Sequence, residues 1–357
     1  MSGFFERYDE ATLIKLKIFE LYAQEWIPVF LSKEQPDFNV IHIFDFFSGP
    51  GSDDQGNPGS PHRILKQLQQ YQNAGLAGWD RVDIHVHFYD ESQSKVAKLR
   101  ETIGKAEWLI PNVRIDCQQL AFNDALAANG SLLSNNRTAK LLIIDQFGVE
   151  AVSDNVFKKL ISFPRTDFIF FIASSTLHRF RDHPAIKQKI APVQDSYKVH
   201  RAAVDYYRGL IPAYEKVFVA PFSIKKGSNI YGLIFCSRHP LGIHKFLQVT
   251  WANDEIAGEA NFDIDRENIL PDEPLLPLLE LRPNKMRAFE ERLEREILRG
   301  AMHNEADLVR FCIENGMTCQ LSAPVLKKLK DSGIIDLDFR IPDVRRLGDP
   351  RPITLRK

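Results

Sequence analysis

Two hydrophobic spacings alternate along this chain, and the change from one to the other marks out its elements. From about Glu10 to Ser32, Leu13, Leu16, Phe19, Leu21, Tyr22, Trp26 and Phe30 recur at roughly helical intervals, whereas Lys15, Lys17, Glu20 and Gln24 are polar. That pattern predicts a helix packed on a sheet, with its lysines placed first on the solvated face and, as the alternative, within reach of a ligand. The run VIHIFDFF, Val40 to Phe47, is too short for a helix and too uniformly apolar for a half-exposed strand, so it predicts a strand buried on both faces. Further strands are expected in VDIHVHFYDES, ending at Asp90 and Glu91, in NVRIDCQQ, in AKLLIIDQFG and in DFIFFIASST. Helices are expected in HRILKQLQQ, in SQSKVAKLRETI and from Phe122 to Ala128. KVFVAPFSI and NIYGLIFCSRH, separated by KKGS, predict a hairpin. The whole predicts an α/β, doubly wound, Rossmann-like sheet that closes on an antiparallel C-terminal hairpin.

Proline changes the picture after Asn261. Pro271, Pro274, Pro277 and Pro283 discourage helix through residues 261–284, which reads as a linker. Three helical pieces follow: MRAFEERLEREILRG, then NEADLVRFCIENG with Asn304 as cap and Gly316 as stop, then SAPVLKKLKDSG with Ser322 as cap and Gly333 as stop. With the strand-like IIDLDFRI behind them, they describe a small, mostly helical, winged-helix-like domain. The expected organisation is an N-terminal helix (1–36), the sheet domain (37–260), the linker (261–284) and the winged-helix-like domain with a basic tail (285–357).

Composition narrows the function classes. At 357 residues with 44% hydrophobic content and a formal charge of −1, the chain shows no global drive toward nucleic acid or anionic membranes. No apolar run approaches the roughly 20 residues of a membrane span, and the N-terminus lacks a basic-then-apolar signal pattern, so a cytoplasmic location is expected. Cys117, Cys236, Cys312 and Cys319 are scattered without C-x-x-C pairs or histidines at finger spacing, and suggest neither zinc nor a disulfide framework.

The candidate chemistry sits at strand ends. After Phe47 come Ser48, Gly49, Pro50 and Gly51, then Gly56 and Gly59, with Ser60 and Pro61 read as N-cap and first residue of the next helix. A strand, a glycine turn and a helix N-terminus suit a nucleotide-like ligand, because glycine lets backbone approach closely and free amides favour negative charge. The turn is neither a phosphate loop nor a G-x-G-x-x-G fingerprint. In such a sheet an acid ending the second strand can accept from ribose hydroxyls, a role expected of Asp90, with Glu91 second. Asp145 and Gln146 end the clearest of the later strands. Between the fifth strand and the hairpin, His178 to Tyr207 mixes bases with aromatics, a pattern of nucleic-acid contact or of a solvated helical lid. In the C-terminal domain, Lys327, Lys328 and Lys330 on the third helix, with Arg340 and the tail residues Arg345, Arg346, Arg351, Arg356 and Lys357, could read DNA. Asp331, Asp336 and Asp338 dilute that patch, which leaves protein docking open.

DFFSGPG resembles the first motif of class I S-adenosylmethionine (SAM) methyltransferases, and the closing hairpin is also what their sheet looks like. The resemblance implies SAM as cofactor, the turn Phe47 to Gly51 beneath its methionine part, and Asp45 holding its amino group directly or through water. It also implies Asp116, with Cys117 beside it, near the adenine. The whole arrangement, from Lys15 and Trp26 through DFFSGPG and G-N-P-G-S-P to Asp145–Gly148 and ENGM…APVLKKLKDSGII, resembles the three-Cys-motif partner (TcmP-like) bacterial proteins. That likeness implies a partner carrying a three-cysteine motif. Gln146 replaces the commoner proline of D-P-F-G; DQFG keeps Asp145 and Phe147 but lacks the two prolines and the aromatic of amino-methyltransferase turns. No cysteine follows a proline, so cytosine-C5 chemistry has no nucleophile. Methyl transfer needs mainly alignment, and Asp145 could orient an amine or hydroxyl. Three readings follow: a SAM-dependent methyltransferase, on DNA or RNA in one version; a non-catalytic scaffold or regulator acting through its C-terminal domain; and a nuclease or repair factor using Asp45, Asp90 and Asp145 for a metal. No other metal ligands are expected.

Overall fold

The computed structural model describes residues 7–105, 108–145, 152–172, 199–226, 229–268 and 283–356. Gln146, Phe147, the basic and aromatic segment through Lys198, Pro271, Pro274, Pro277 and Lys357 lie outside the described residues. By contact the chain divides into two compact units, Met1–Arg238 and His239–Lys357.

In the first unit, α1 (Glu10–Leu31) leads into β1 (Val40–Asp45), α2 (Ser60–Asn73), β2 (Asp83–Asp90), α3 (Gln93–Ile103) and β3 (Val113–Gln119). Then come α4 (Phe122–Ala128), the single turn α5 (Gly130–Leu133), β4 (Ala139–Ile144), α6 (Asp154–Ser162), β5 (Thr166–Ile172), α7 (Val199–Gly209), β6 (Phe218–Lys226) and β7 (Asn229–Ser237). The sheet order is β3-β2-β1-β4-β5-β7-β6. The first five strands are parallel, and β7 runs antiparallel to both β5 and β6. This is the doubly wound, class I methyltransferase-like sheet with its closing hairpin. Its order reverses at β1 and β4, so the C-terminal ends of β1, β2 and β4 face the crevice where open α/β sheets hold ligands.

Side chains alternate across the sheet. Phe44, Phe46, Tyr89, Leu142, Ile144, Phe168 and Phe170 point to one face and bury Phe122, Phe157, Leu160 and Tyr207 of α4, α6 and α7. Asp45, Asp90, Asp145 and Asp167 lie on the opposite alternation, the side that α1 covers. The Tyr22 hydroxyl and the Trp26 indole N–H both donate to Asp167 Oδ2, at 2.9 and 3.1 Å, and Tyr22 meets Phe235 edge-on. Burial pushes the Asp167 carboxyl up to about 6 despite the hydrogen bonds from Ser237, Tyr22 and Trp26.

One expectation about α1 fails. Lys15 is not on a solvated face; it is 3% exposed and turned onto the sheet. The helical stripe facing the sheet is wide enough to include it, and a buried partner makes its burial tolerable.

The second unit contains α8 (Pro240–Asn253), α9 (Asn284–Leu298), α10 (Glu305–Glu314), α11 (Ala323–Asp331) and a two-residue pair, β8 (Ile335–Asp336) with β9 (Thr354–Leu355). Asn304 caps α10 as expected, its Oδ1 accepting from the amides of Ala306 and Asp307. Gly316 and Gly333 take positive φ at the helix stops. Ser322 does not cap α11 with its side chain; its hydroxyl donates to the Cys319 carbonyl inside a 3-10 turn. All four cysteines are buried and unpaired by disulfide.

Candidate functional site

Asp45 ends β1 with no exposed surface, and its carboxylate is spent on the turn itself. Oδ1 accepts the Phe47 amide at 3.1 Å and Oδ2 accepts the Ser60 hydroxyl at 2.5 Å. This second bond moves Ser60 from the cap position to the first residue of α2, leaving Gly59 as cap. Burial raises the Asp45 carboxyl to about 7 against those two hydrogen bonds, and the neighbouring Asp145 and Asp90 add to the rise. Asp45 therefore braces the turn from inside.

Between β1 and α2 the backbone makes two left-handed steps, at Gly49 (φ +62°) and Gly51 (φ +87°). They do different work. A Cβ on Gly51 would lie 2.8 Å from Leu99 Cδ1 and 2.9 Å from His62 Cε1, so that glycine is needed for packing. A Cβ on Gly49 would meet nothing within 4 Å. The Gly49 amide donates to Asp90 Oδ2 at 3.1 Å, and Ser92 N donates to Oδ1 at 2.9 Å, with Lys95 Nζ at 3.7 Å. Ser48 is buried, both its amide and its hydroxyl donating to the Tyr89 carbonyl, and Phe47 leans on Phe122. Pro50 is partly exposed and Glu91 is exposed beside Asp90. The far half of the turn is organised by Asp53, which accepts from the amides of Tyr8, Gln55 and Asn57.

Asp145 follows β4, adjacent to β1 in the sheet, and pairs with Lys15 Nζ at 2.7 Å. The same ammonium lies 4.7 Å from the Phe171 ring centre. Tyr8 stands near these acids: burial, then Asp53, Asp145 and Asp45, raise its hydroxyl to about 12. Neither Lys15 nor Tyr8 is legible as a site residue from periodicity, although the spacing of Lys15 and Trp26 on one helix was part of the family resemblance.

Asp116 does not join this group. It lies in the middle of β3, in register with His87, and accepts Gln118 Nε2 at 2.6 Å. Cys117 points to the other side and is buried, its carbonyl accepting from Arg100. The residue of β3 in register with Asp90 at the ligand end is Gln119, which is exposed and donates to the Glu91 carbonyl at 3.2 Å. Counting back from the strand end by the pairing with β2 is the signal that identifies it.

In the second unit the cations are largely engaged. Lys328 pairs with Glu294 at 2.8 Å, Lys330 donates to the Leu337 carbonyl, and Arg356 pairs with Asp336. Arg351 makes a two-pronged pair with the buried Glu305, at 2.5 and 2.9 Å, and covers the Phe339 ring. Lys327 and Arg340 are exposed, and Arg340 lies outside the short β8–β9 pair.

No helix among the described residues is long and apolar enough to cross a membrane. No family model matches the chain. No curated protein matches it either. Among solved structures it is similar to a SAM-dependent methyltransferase from Agrobacterium tumefaciens (9% identity, TM-score 0.34, 64% of this chain and 62% of that one). It is similar also to the DszA carbon methyltransferase (14% identity, TM-score 0.35, 63% of this chain and 53% of that one). A precorrin-6y methyltransferase from Geobacter metallireducens shows the same order of likeness (9% identity, TM-score 0.31, 66% of this chain and 93% of that one). These figures add nothing to the fold, which the chain's own strand order and pairing define as methyltransferase-like.

Proposed function

We propose that the first unit binds SAM at the C-terminal ends of β1 and β2 and transfers its methyl group to an amine or hydroxyl held near Asp145. The observation that carries this reading is the turn at Gly49, left-handed, open to space where a side chain would project, and hydrogen-bonded to the acid that ends β2. The turn from Ser48 to Gly51 would lie under the methionine part of SAM, Asp90 and Glu91 would accept from ribose hydroxyls, and Gln119 would take the adenine-side position first assigned to Asp116. SAM brings a sulfonium methyl that needs alignment more than proton transfer. Lys15 would fix the Asp145 carboxylate in place. Calorimetry with SAM and with its demethylated product tests the reading: both should bind the wild-type chain, and Gly49→Ala should weaken both. No binding at millimolar ligand would overturn it.

The Lys15–Asp145 pair also favours a second reading, in which the sheet is a non-catalytic scaffold. An acid neutralised by a buried lysine serves as a structural clip for α1 without any substrate. On that reading the chain acts through its second unit, whose three helices α9, α10 and α11 and short β pair are consistent with a winged-helix-like module. Because most of its cations already have partners, we favour docking to a protein, such as the three-cysteine-motif partner the resemblance implies, over reading DNA or RNA. Fluorescence anisotropy of the full chain with labelled duplex DNA checks this: binding that falls steeply with salt would return the nucleic-acid reading to first place.

A further inference from the structure

Below the candidate site, on the opposite face of the sheet, three histidines come together from two adjacent strands. His42 on β1 is in register with His85 on β2, and Phe44 is in register with His87, so the three imidazoles form a triangle on one face. His42 Nδ1 and His87 Nε2 are 3.1 Å apart. One ligating nitrogen from each of the three rings can be chosen so that all lie within 4.8 Å of one another. The other nitrogen of His87, Nδ1, is buried and has no hydrogen-bond partner.

We propose that His42, His85 and His87 form a binding site for a divalent cation of the zinc class. Neutral imidazole is a preferred ligand of such ions, and three histidines with a fourth position left to water make a known open zinc geometry. Around a tetrahedral ion with metal–nitrogen bonds near 2.0–2.1 Å, ligand nitrogens sit about 3.3 Å apart. His42 and His87 now share a ring-to-ring hydrogen bond at 3.1 Å, which an ion would replace once both rings turn to face it. His85 is the more exposed member, and its ring would turn toward the other two to complete the set. Its partial exposure also gives an ion a way in.

The surroundings are mixed in charge, and the balance permits a cation. Asp116, in register with His87, and Asp83, two residues from His85, are negative. Arg114 acts on His85 from β3, and Lys140 is in register with His42, but the Lys140 ammonium is drawn to the Asn135 carbonyl. The ring of Phe44 stacks on His87 at 4.4 Å and fixes its plane. An ion here would tie β1 to β2, the strands that lead to Gly49 and Asp90, using no residue of the SAM proposal.

The test uses the full chain without a histidine tag, stripped with chelator and titrated with Co2+ as a spectroscopic stand-in. Wild type should take up about one equivalent and develop visible ligand-field bands that Zn2+ bleaches. His85→Gln should weaken binding roughly a hundredfold or more, since even outer partners of metal ligands are worth 10–100-fold. Because His85 is only partly buried, this variant should fold, which circular dichroism checks; His87→Gln provides a second variant at a buried position. Absence of Co2+ bands with wild type, or equally tight binding by folded His85→Gln, would overturn the proposal.

Discussion

Replacing Lys15 by methionine removes the charge paired with Asp145 and leaves the shape of the stem nearly unchanged. The two groups are 2.7 Å apart with side-chain exposures of 3% and 11%. At an effective dielectric near 20, that separation corresponds to about 6 kcal/mol of direct attraction. Desolvation of both ions cancels much of it, and breaking one half of such a buried pair typically costs about 3–5 kcal/mol. Loss of the ammonium over Phe171 adds on the order of 0.5–1 kcal/mol. A total near 4 kcal/mol in a unit of this size lowers the melting temperature by roughly 8–15 °C. The assay is thermal and urea unfolding of Lys15→Met, Asp145→Leu and the double variant. The double variant should recover most of the loss, because two apolar groups leave no orphaned ion. A single-variant loss below about 1 kcal/mol, or a double variant equal to the sum of the singles, would show that the pair is solvated and would refute the burial argument.

The remaining predictions use the same logic of burial and space. Asp45 titrates near 7 when folded and near 3.8 when unfolded, so its ionisation opposes folding as pH rises through that window. Asp45→Asn should therefore stabilise the protein at pH 8 by up to about 4 kcal/mol and have almost no effect at pH 4, followed by melting temperature against pH; a pH-independent effect would contradict the assignment. Gly51→Ala should cost about 2–4 kcal/mol through its clashes with Leu99 and His62 and its positive φ, whereas Gly49→Ala should cost only about 1 kcal/mol, for its φ alone; equal losses in urea unfolding would go against the division of labour drawn here. In the second unit, Gly258→Ala would drive a Cβ to within 2.5 Å of the Trp251 ring and should quench or shift tryptophan emission while lowering stability. Arg351→Met should lower the melting temperature by orphaning Glu305. Although burial pushes Glu305 up, Arg351 and the Asp343 amide hold it below its ordinary value, so the stability it contributes is present above pH 4.5 and lost as pH falls through the folded value. A variant with the same acid-side stability profile as wild type would argue against that account.

Most of the sheet was legible because a strand buried on both faces and a helix of period 3.6 leave different marks. The hairpin after β5 was readable from KKGS between two β-rich runs, and it fixes the closing antiparallel pair. What was not legible depends on where a strand stops in its neighbour's frame. Asp116 and Gln119 are three residues apart in the sequence, yet only the pairing of Gln119 with Asp90 shows which of them reaches the crevice. The same limit hid Ser60, whose hydroxyl is drawn to Asp45 rather than to the helix amides, because that bond spans two ends of a turn. Lys15 was misread because periodicity assigns a charged side chain to the wet face, and the partner that makes its burial tolerable lies 130 residues away. Helix α8 shows the reverse case. Its apolar residues Ile243, Phe246, Leu247 and Trp251 carry a helical pattern and Pro240 opens it, but only Arg238 and His239 separate it from β7, so the change of period is easily missed.

The histidine triangle and the strand-end crevice bear on each other through β1 and β2. Each strand carries a buried acid at its C-terminal end and histidine three residues earlier, and because three steps along a strand reverse the face, the two sets lie on opposite sides of the same pair. The turn that offers Gly49 to a ligand hangs from the ends of these strands, so its position depends on their register. A one-residue slip of β2 against β1 would move Asp90 to the wrong face and separate the Gly49 amide from its carboxylate. Core packing already opposes such a slip, and an ion held by His42 on one strand and His85 and His87 on the other would oppose it further. If both proposals hold, removing the ion should weaken SAM binding modestly while Gly49→Ala weakens it whether or not the ion is present. If the ion binds and SAM does not, the triangle is a structural clip in a scaffold. The two readings of the first unit are then separated by measurements on two sites that share no side chain.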